Sequence, residues 1–467
     1  MRGKRLKKQK FKVKGKTKPT ISLCMIVKNE EACLGRCLDS VKAHVDEMII
    51  VDTGSIDRTV KIAESYGAKI YHLTWENDFS KHRNQSLSYA TGEWIFQLDA
   101  DEELFAEDGP RLREIVRTGK ADYYHCRFHD IKKDGSVHGV FYLVRLFRNG
   151  MGMAYERKVH NQLRTDGREV YSSIRVRHYG YALTTEQMEA KHLRTTRLLK
   201  EMLANDPEDV YSIYQLSSSY SMHREFDKAV AYGETALAMM RRRGLRNGYF
   251  LTVFHTVAQG YYALGRVADA ERTCLAALDF FPMQMDMCHL LADIYFRSQS
   301  LDRYKAIAER YLRIYEAVEK DPAVIGGFFC HSFTRRHEIY FGMACVHFLE
   351  KDFVAADLFF RRSFDDSGKE IKIAKNICRF YSEQKMDEKA LEWLNTACEE
   401  GLREGDPTDT DLGKTAYALA EALCRRSMWH LAEPVLNLAI QIDPANFNYD
   451  RFNRLLSGNG QRDHQPS

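Results

Sequence analysis

Two aspartates separated by one residue follow an apolar segment in the N-terminal part of the chain. The stretch WIFQLDADEEL, residues 94–104, places Asp99 and Asp101 directly after a strand-like run. In an extended backbone the pattern Asp-X-Asp points both carboxylates to the same side. Such carboxylates repel each other unless a cation lies between them, and a divalent ion that also carries phosphate meets this need. The spacing therefore predicts a site for a metal ion and a phosphate group. The roles of Glu102 and Glu103 are ambiguous, and Glu103 is interpreted as charge at a helix start.

Asp52 gives this site a structural context, because it also ends an apolar run, residues 48–51. In open parallel α/β sheets, ligands bind beyond the carboxyl ends of the strands, where helix N-termini and loop backbone converge. We therefore expect Asp52, Asp99 and Asp101 to share one edge of a sheet.

The segments before residue 180 alternate between strand-like and helix-like patterns. Apolar runs at 21–27, 48–51 and 68–73 are separated by helical spacing at 31–43 and 57–66. Strands that alternate with helices of this length predict a mainly parallel sheet covered on both faces.

After about Tyr181 the strand signals end and helical signals replace them. Small and aromatic residues recur at positions that resemble the 34-residue tetratricopeptide repeat, although the copies are unevenly spaced. The markers include Ala229, Ala270, Ala356, Ala390 and Ala432, which are not evenly spaced. This pattern predicts about six helical hairpins in a solenoid. An irregular helical bundle is the alternative.

Four motifs of the N-terminal half occur in the order and spacing of a known family. They are MIVKNEE at 25–31, IIVDTGSIDRT at 49–59, DFSKHRNQSL at 78–87 and GEWIFQLDADEEL at 92–104. Together they resemble the motifs of inverting family 2 glycosyltransferases with the GT-A fold. The combination with helical repeats resembles the bacterial relatives of peptide S-glycosyltransferases.

This resemblance implies a fold class and a division of the chain into domains. An α/β GT-A nucleotide-diphospho-sugar transferase domain is followed by an all-α helical-repeat domain of the TPR type. The predicted bounds are a disordered basic tail at 1–18, the transferase domain at 19–185, the repeat domain at 186–455 and a disordered tail at 456–467.

The resemblance also assigns residues to the binding of a nucleotide sugar. These residues are Glu30, Asp52, Arg83, Asn84 and Asp99. Asp52 matches the acid that reads the base and Glu30 the acid near the ribose. Arg83 and Asn84 match the pair that closes over the nucleotide, and a planar guanidinium suits phosphate or a base edge.

Asp57 belongs to the same motif region, and it is expected either to cap the following helix or to contact the nucleotide. The segment RLFRN at 145–149, with Arg145 at its start, resembles the region that closes the sugar site.

The metal ligands implied by the resemblance are Asp99, Asp101 and His178, and the ion is Mn²⁺ or Mg²⁺. Asp101 matches the direct ligand, Asp99 is shared between ribose and metal, and His178 is either a further ligand or a buried core histidine.

The catalytic base is less clear, because related sequences have His-Glu where this chain has His160 and Asn161. An amide cannot accept a proton as a carboxylate does. Glu156 and Asp130 are the nearest candidates for the base.

The function implied is the inverting, metal-dependent transfer of a sugar, of the hexosyltransferase type, from a nucleotide-diphosphate sugar, with uridine as the expected nucleoside. The concave surface of a solenoid favours a peptide or protein acceptor, or it serves a homodimer. One alternative is a protein-binding scaffold that has lost catalysis. Another is a nucleotidyltransferase, which would show a Gly-rich basic loop where this chain has KNEE at 28–31.

The amino-acid composition argues against several other classes of protein. The net charge of +4 in 467 residues gives no general attraction to nucleic acid. The eleven cysteines form no CxxC pair and predict reduced core thiols. The N-terminal tail lacks the apolar segment of a secretory signal, and no run is long enough to cross a membrane. We therefore expect a cytoplasmic protein.

Overall fold

The computed structural model describes residues 18–444 except 134, 181–184, 246–248, 326–329 and 405–409. The two predicted tails lie outside these residues, apart from Lys18, and so does the end of the predicted repeat domain after residue 444.

The N-terminal part of the chain forms a sheet with helices between its strands. The strands are β1 (Ile21–Val27), β2 (Glu47–Asp52), β3 (Lys69–His72), β4 (Trp94–Gln97), β5 (Glu102–Leu104), β6 (Tyr123–Ile131), β7 (Val137–Arg148), β8 (Ala154–Glu156), β9 (Gln162–Arg164) and β10 (Glu169–His178). The helices are α1 (Leu34–Val41), α2 (Thr59–Ser65), α3 (Phe79–Ser88) and α4 (Gly109–Thr118).

The main sheet is mixed, with the strand order β3-β2-β1-β4-β7-β6-β10-β5. Strands β3, β2, β1 and β4 are parallel, as the alternating strand and helix pattern predicts. Strand β7 runs antiparallel to both β4 and β6, and β5 runs antiparallel to β10. The α/β fold class is confirmed. Parallel pairing joins the first four strands and also joins β6 to β10, whereas the other three strand pairs of this sheet are antiparallel.

The register of the parallel strands brings their carboxyl ends together. Val27 of β1 pairs with Asp52 of β2, and Cys24 of β1 pairs with Gln97 of β4. The apolar residues of these strands are buried on both faces, as the continuous apolar runs indicate. The loops after β2 and β4, which carry the aspartates, therefore leave the sheet at one edge.

Glu47 fixes the opposite end of these strands through several hydrogen bonds. Its carboxylate accepts from Ser22 Oγ at 2.6 Å, from Lys69 Nζ at 2.7 Å and from the backbone amide of Thr91 at 2.6 Å. Partial burial opposes ionisation of Glu47, but these bonds outweigh it and lower its pKa to about 2.

We expect Glu47→Gln to lower the free energy of unfolding by about 1–3 kcal/mol at neutral pH. Because the folded-state pKa lies below the ordinary value, the contribution of Glu47 is fully present above about pH 5 and is lost as the pH falls toward 2. Urea unfolding at pH 7 and pH 3 measures this, and the two proteins should differ less at pH 3. An equal difference at both pH values would contradict this role for Glu47.

The rest of the described chain is helical. The helices are α5 (Thr185–Asn205), α6 (Val210–Met222), α7 (Phe226–Arg242), α8 (Tyr249–Ala263), α9 (Val267–Phe280), α10 (Met285–Arg297), α11 (Leu301–Lys320), α12 (Arg336–Leu349), α13 (Phe353–Asp366), α14 (Ile371–Glu383), α15 (Asp387–Glu404), α16 (Thr410–Arg425) and α17 (Trp429–Ile442). After α5 they follow one another as six pairs, which confirms the prediction of a helical repeat region. None of the helices in the described ranges is both long and apolar enough to span a membrane.

The alanines that mark the repeats are buried, with at most 1% of their surface exposed. They are Ala229, Ala270, Ala356, Ala390 and Ala432. A small side chain lets the two helices of a hairpin approach closely, which explains why these positions carry the repeat signal.

The chain divides into two compact units. The first comprises residues 1–294 and 310–334, and the second comprises residues 295–309 and 335–467. Within the first unit, strands end at His178 and helices begin at Thr185. The domain boundary at 185, drawn from the sequence, stays a prediction.

Candidate functional site

Asp99 lies between two arginines just beyond the end of β4. Its Oδ2 accepts hydrogen bonds from Arg83 Nη2 at 2.8 Å and from Arg145 Nη2 at 3.3 Å. Gln97 Nε2 donates to the other carboxylate oxygen at 3.2 Å. Burial opposes ionisation, but Arg83 and Arg145 hold the pKa of Asp99 well below its ordinary value. Asp99 is therefore a half-buried carboxylate inside a network of donors.

Arg145 is the centre of this network, and the sequence indicated only that its segment closes the site. It is buried on β7 and donates to Gln97 and to Glu102 as well as to Asp99. Glu102 is only 2% exposed, and its Oε2 accepts the backbone amide of Asp99 at 2.9 Å. Burial raises the pKa of Glu102 to about 7 against the opposing charge of Arg145. Glu102 thus holds the turn that carries Asp99.

Arg83 has hydrogen-bonding capacity left over. It lies on α3, and its Nε and Nη1 are buried without a hydrogen-bond partner in the described part of the chain. The guanidinium stands over the ring of Tyr155, 5.3 Å from its centroid. Buried donors without a partner are costly, so this guanidinium is suited to receive an anion or another acceptor.

The amide of Asn84 has a structural partner. Its Nδ2 donates to the carbonyl of Tyr155 at 2.8 Å, and its Oδ1 accepts the Tyr155 amide at 2.7 Å. The hydroxyl of Tyr155 in turn donates to Gln97 Oε1 at 3.0 Å. Asn84 therefore fixes β8 to α3 and places the Tyr155 ring beside Arg83.

Asp101 and His178 face each other, although they are far apart in the sequence. His178 Nε2 lies 3.7 Å from Asp101 Oδ2, and its Nδ1 lies 2.8 Å from Asp130 Oδ1. Burial lowers the pKa of His178, but the hydrogen bond to Asp130 and the charge of Asp101 outweigh it and raise the pKa. Because a carboxylate accepts the hydrogen bond, Nδ1 carries the proton and Nε2 is turned toward Asp101.

Gly180 leaves the approach to this pair open. A Cβ at this position would lie 2.4 Å from His178 Nε2 and 3.2 Å from Asp101 Oδ2. Lys191 of α5 reaches the same place, with Nζ 3.4 Å from the carbonyl of Gly180. Burial lowers the pKa of Lys191 against the charge of Asp101. Lys191 was missed in the sequence, because it lies in the helical region.

The other predicted acids lie around this edge. Glu30 is half-buried beside Cys33, and burial, with the charges of Asp101 and Asp99, raises its pKa. The carboxylate of Asp52 accepts the amide of Ser55 at 3.1 Å.

Asp57 accepts the amide of Thr59 at 3.0 Å, but it lies one residue before Arg58, the N-cap of α2, and this helix has no side-chain cap. Asp52 likewise shapes a loop, so each of the two acids already has a structural partner.

The residues considered for the base are separated. Asp130 is fully buried and bonded to His178, whereas Glu156 is exposed and lies 3.3 Å from Arg164 on the β8–β9 hairpin. Asn161 has a buried Nδ2 without a hydrogen-bond partner in the described residues. His160 reaches solvent, yet the surrounding protein and Lys191 lower its pKa to about 4.

The structure therefore gathers the predicted residues into two neighbouring groups. One contains Asp99, Arg83 and Arg145 and the other contains Asp101 and His178. Among the contacts of the described residues, none joins Asp52 or Glu156 to either group.

Comparison with known proteins agrees with this architecture. Residues 22–175 match the family model described as Glycosyl transferase family 2. A TPR repeat-containing protein of Synechococcus elongatus is 40% identical over 204 residues, which cover 41% of this chain and 50% of that protein. The SPbeta prophage-derived glycosyltransferase SunS of Bacillus subtilis is 28% identical over 220 residues, which cover 46% of this chain and 52% of SunS.

This chain thus spans about half the length of these two curated relatives. Among solved structures, the C-terminal part of a TPR repeat-containing protein from Cytophaga hutchinsonii aligns with a TM-score of 0.41 and 12% identity, over 57% of this chain and 98% of that one. The family match covers β4 and the aspartates that follow it, and it also covers Arg83 of α3 and Arg145 of β7. The chain therefore contains a family 2 glycosyltransferase domain, and a TPR-like helical region follows it.

Proposed function

We propose that the N-terminal domain transfers a sugar, of the hexosyl type, from a uridine diphosphate sugar to an acceptor with inversion of configuration. The observation that carries this proposal is the pairing of Asp101 with His178, together with Arg83, which bonds Asp99 and keeps unpartnered buried donors in the described part of the chain. A diphosphate needs cationic and hydrogen-bonding groups on adjacent sides, and this edge of the sheet offers both.

Asp101 and His178 would hold a divalent ion, with Asp99 next to them. Ligands on one ion about 2.1 Å away lie roughly 3 Å apart, so the 3.7 Å between Asp101 and His178 fits a shared ion after a small adjustment. Gly180 keeps the space beside them clear. Oxygen and imidazole ligands suit Mn²⁺, and the carboxylates suit Mg²⁺ as well. When bound, the ion would neutralise negative charge on the leaving diphosphate.

The protein groups would bind and orient the donor. Arg83 would donate to an oxygen of the diphosphate or to the edge of the base, and Arg145 would hold Asp99 in place for the ribose. Asp52 and Glu30 would face the nucleoside. We place Lys191 beside the diphosphate, because its ammonium lies at the Asp101 edge of the site.

The acceptor would attack the anomeric carbon from the face opposite the diphosphate and lose its proton to a base. Asp130 is committed to His178 and is fully buried, so we assign it to positioning. Glu156 is then the remaining candidate for the base, and it is open to solvent. We propose a peptide or protein acceptor, because the TPR-like region offers a surface for polypeptides.

A catalytically inactive scaffold is the competing function, since Asn161 replaces a carboxylate of related sequences. Turnover of a nucleotide-sugar donor distinguishes an active glycosyltransferase from an inactive scaffold. The full chain with Mn²⁺ and a panel of uridine, guanosine, adenosine and thymidine diphosphate sugars should release uridine diphosphate from one uridine-linked donor. That donor should also raise the melting temperature. Neither release nor a thermal shift with any donor would favour the scaffold.

The acceptor requires a separate measurement. Host peptides and proteins incubated with the enzyme and the active donor should gain the mass of one sugar, detectable by mass spectrometry. Transfer to free glycans or lipids alone would contradict a polypeptide acceptor.

Asp130→Ala tests the positioning role of Asp130. Without its carboxylate, the His178 ring loses its orientation, and we expect the Mn²⁺ concentration for half-maximal activity to rise by about 10–100-fold. Saturating metal should restore most of kcat, and Asp130→Asn, which keeps an acceptor oxygen, should lie close to the wild type.

A base would behave differently, which makes the comparison decisive. If Asp130 were the base, Asp130→Asn would lose about 10²-fold or more of kcat even at saturating metal. Asp122→Ala, which removes a more exposed carboxylate paired with Arg148, serves as the matched control.

A further inference from the structure

A second cluster of potential metal ligands lies in the first compact unit, outside the candidate active site. It comprises His255 of α8, Asp286 of α10 and His331 of the segment before α12. One ligand atom from each of these residues lies within 4.8 Å of the other two. The three residues come from distant parts of the chain, so the tertiary fold brings them together.

The segment that carries His331 is anchored to β7 of the sheet. Cys330 and Val140 pair through both backbone hydrogen bonds, at 2.8 and 3.2 Å. The same segment also turns toward α10. Whatever fixes this segment to α8 and α10 therefore links the helices to β7.

Asp286 accepts several hydrogen bonds from this segment, and the four donors described for its carboxylate are formally neutral. Its oxygens accept from the Ser332 amide at 2.7 Å, the Ser332 hydroxyl at 2.7 Å, the His331 amide at 3.1 Å and the Cys330 thiol at 3.5 Å. The side chain is buried. A buried carboxylate of this kind calls for a cation.

The two imidazoles are poorly suited to supply that charge by protonation. The rings of His255 and His331 stack with centroids 4.6 Å apart and an interplanar angle of 14°. Two protonated rings at this distance would repel each other. Neutral imidazoles keep a nitrogen lone pair, which is the form that binds a metal.

The chemical types of the potential ligands indicate which metal ion this cluster would bind. Two imidazole nitrogens and one carboxylate are a common ligand set for zinc. Ligands about 2.0–2.2 Å from a tetrahedral zinc ion lie roughly 3.5 Å apart. The ligand atoms lie within 4.8 Å of one another, so they would have to approach by at most about 1.3 Å.

We propose that His255, Asp286 and His331 bind a zinc ion that fixes the 330–332 segment, and with it β7, to α8 and α10. The ion is structural and separate from the divalent ion of the donor site. This inference does not depend on the glycosyltransferase activity.

Metal content tests the proposal directly. The untagged full chain, dialysed against Zn²⁺ and then against metal-free buffer, should retain one zinc ion per chain by mass spectrometry. Asp101→Ala, which removes a donor-site ligand, should retain it as well. His255→Ala and His331→Ala should fall to background. His430→Ala, which removes an exposed imidazole of α17, should retain the ion.

Two further readouts keep the test independent of folding defects in the variants. Chelation should lower the melting temperature of the wild type, and zinc should restore it, with no such response in His255→Ala. Cobalt in place of zinc should give the strong visible bands of a tetrahedral site. Wild-type protein that retains no zinc would overturn the proposal, as would equal zinc in His255→Ala and His430→Ala, or loss of the ion in Asp101→Ala.

Discussion

Asp101→Ala is expected to lower metal-dependent turnover of the donor sugar on the order of 10³-fold or more, equivalent to ~4 kcal/mol of transition-state stabilisation. Asp101 faces His178 across 3.7 Å, and both would hold the ion that balances charge on the leaving diphosphate. With one of the two ligands removed, the remaining imidazole cannot retain a divalent ion at ordinary concentrations. Release of nucleoside diphosphate, measured against Mn²⁺ concentration, gives both kcat and the apparent metal affinity.

Fold integrity separates this effect from a general loss of structure. Asp101 is partly exposed, so its replacement should leave the melting temperature within a few degrees of the wild type. Glu107→Ala is a suitable control, because it removes an exposed carboxylate from the same stretch of chain that pairs only with exposed atoms of Arg175. Full activity in chelator-treated Asp101→Ala would show that Asp101 does not serve a metal.

The parallel half of the sheet was predictable mainly because β1 and β2 are short, continuous apolar runs, whereas the segment of β3 alternates. Strands buried on both faces need no alternation, and residues 21–27 and 48–51 show none. The second half was not predicted in detail. Strands β6, β7 and β10 contain charged residues between apolar ones, and their order depends on pairing between segments that are distant in the sequence.

The aspartates of the site were predictable from topology, since a parallel sheet places the residues after its strands at one edge. Arg145 and Asp130 were harder to place, because their partners lie 43 or more residues away, and Lys191 was harder to place because it lies in the helical region. Two local signals were available. Arg145 interrupts an apolar stretch of β7, and Gly180 follows His178 closely, where any side chain would fill the space beside that ring.

Asn84 shows that a sequence motif and a structure can indicate different roles for the same residue. Its place after Arg83 predicts contact with a nucleotide, yet both ends of its amide bond the backbone of Tyr155. A side chain that holds one wall of the site in place contributes to ligand binding, although it does not contact the ligand itself. Motif matching cannot separate these two roles, because both depend on the same residue type at the same position.

Arg145→Met is expected to lower the free energy of unfolding by about 3–5 kcal/mol at pH 8. Arg145 is buried and pairs with Glu102, which is 2% exposed, and with Asp99. Methionine fills much of the volume but leaves Glu102 without its counter-charge and leaves Asp99 with Arg83 alone. Burial already raises the pKa of Glu102 to about 7 with the arginine present, and its loss should raise that pKa further.

The dependence on pH and on Glu102 identifies the cause. A carboxyl group whose folded-state pKa is raised destabilises the protein increasingly as the pH rises above its ordinary value, so the loss in Arg145→Met should be larger at pH 8 than at pH 5.5. Glu102→Gln in the Arg145→Met background should recover a substantial part of the lost stability at pH 8, because a neutral amide needs no counter-charge.

Arg164→Met, which breaks the exposed pair with Glu156, should change stability by less than ~0.5 kcal/mol. Urea unfolding followed by tryptophan fluorescence measures all four proteins. If Arg145→Met proved as stable as Arg164→Met, the buried ion pairs would contribute little, and Arg145 would matter only for holding Asp99 toward the ligand.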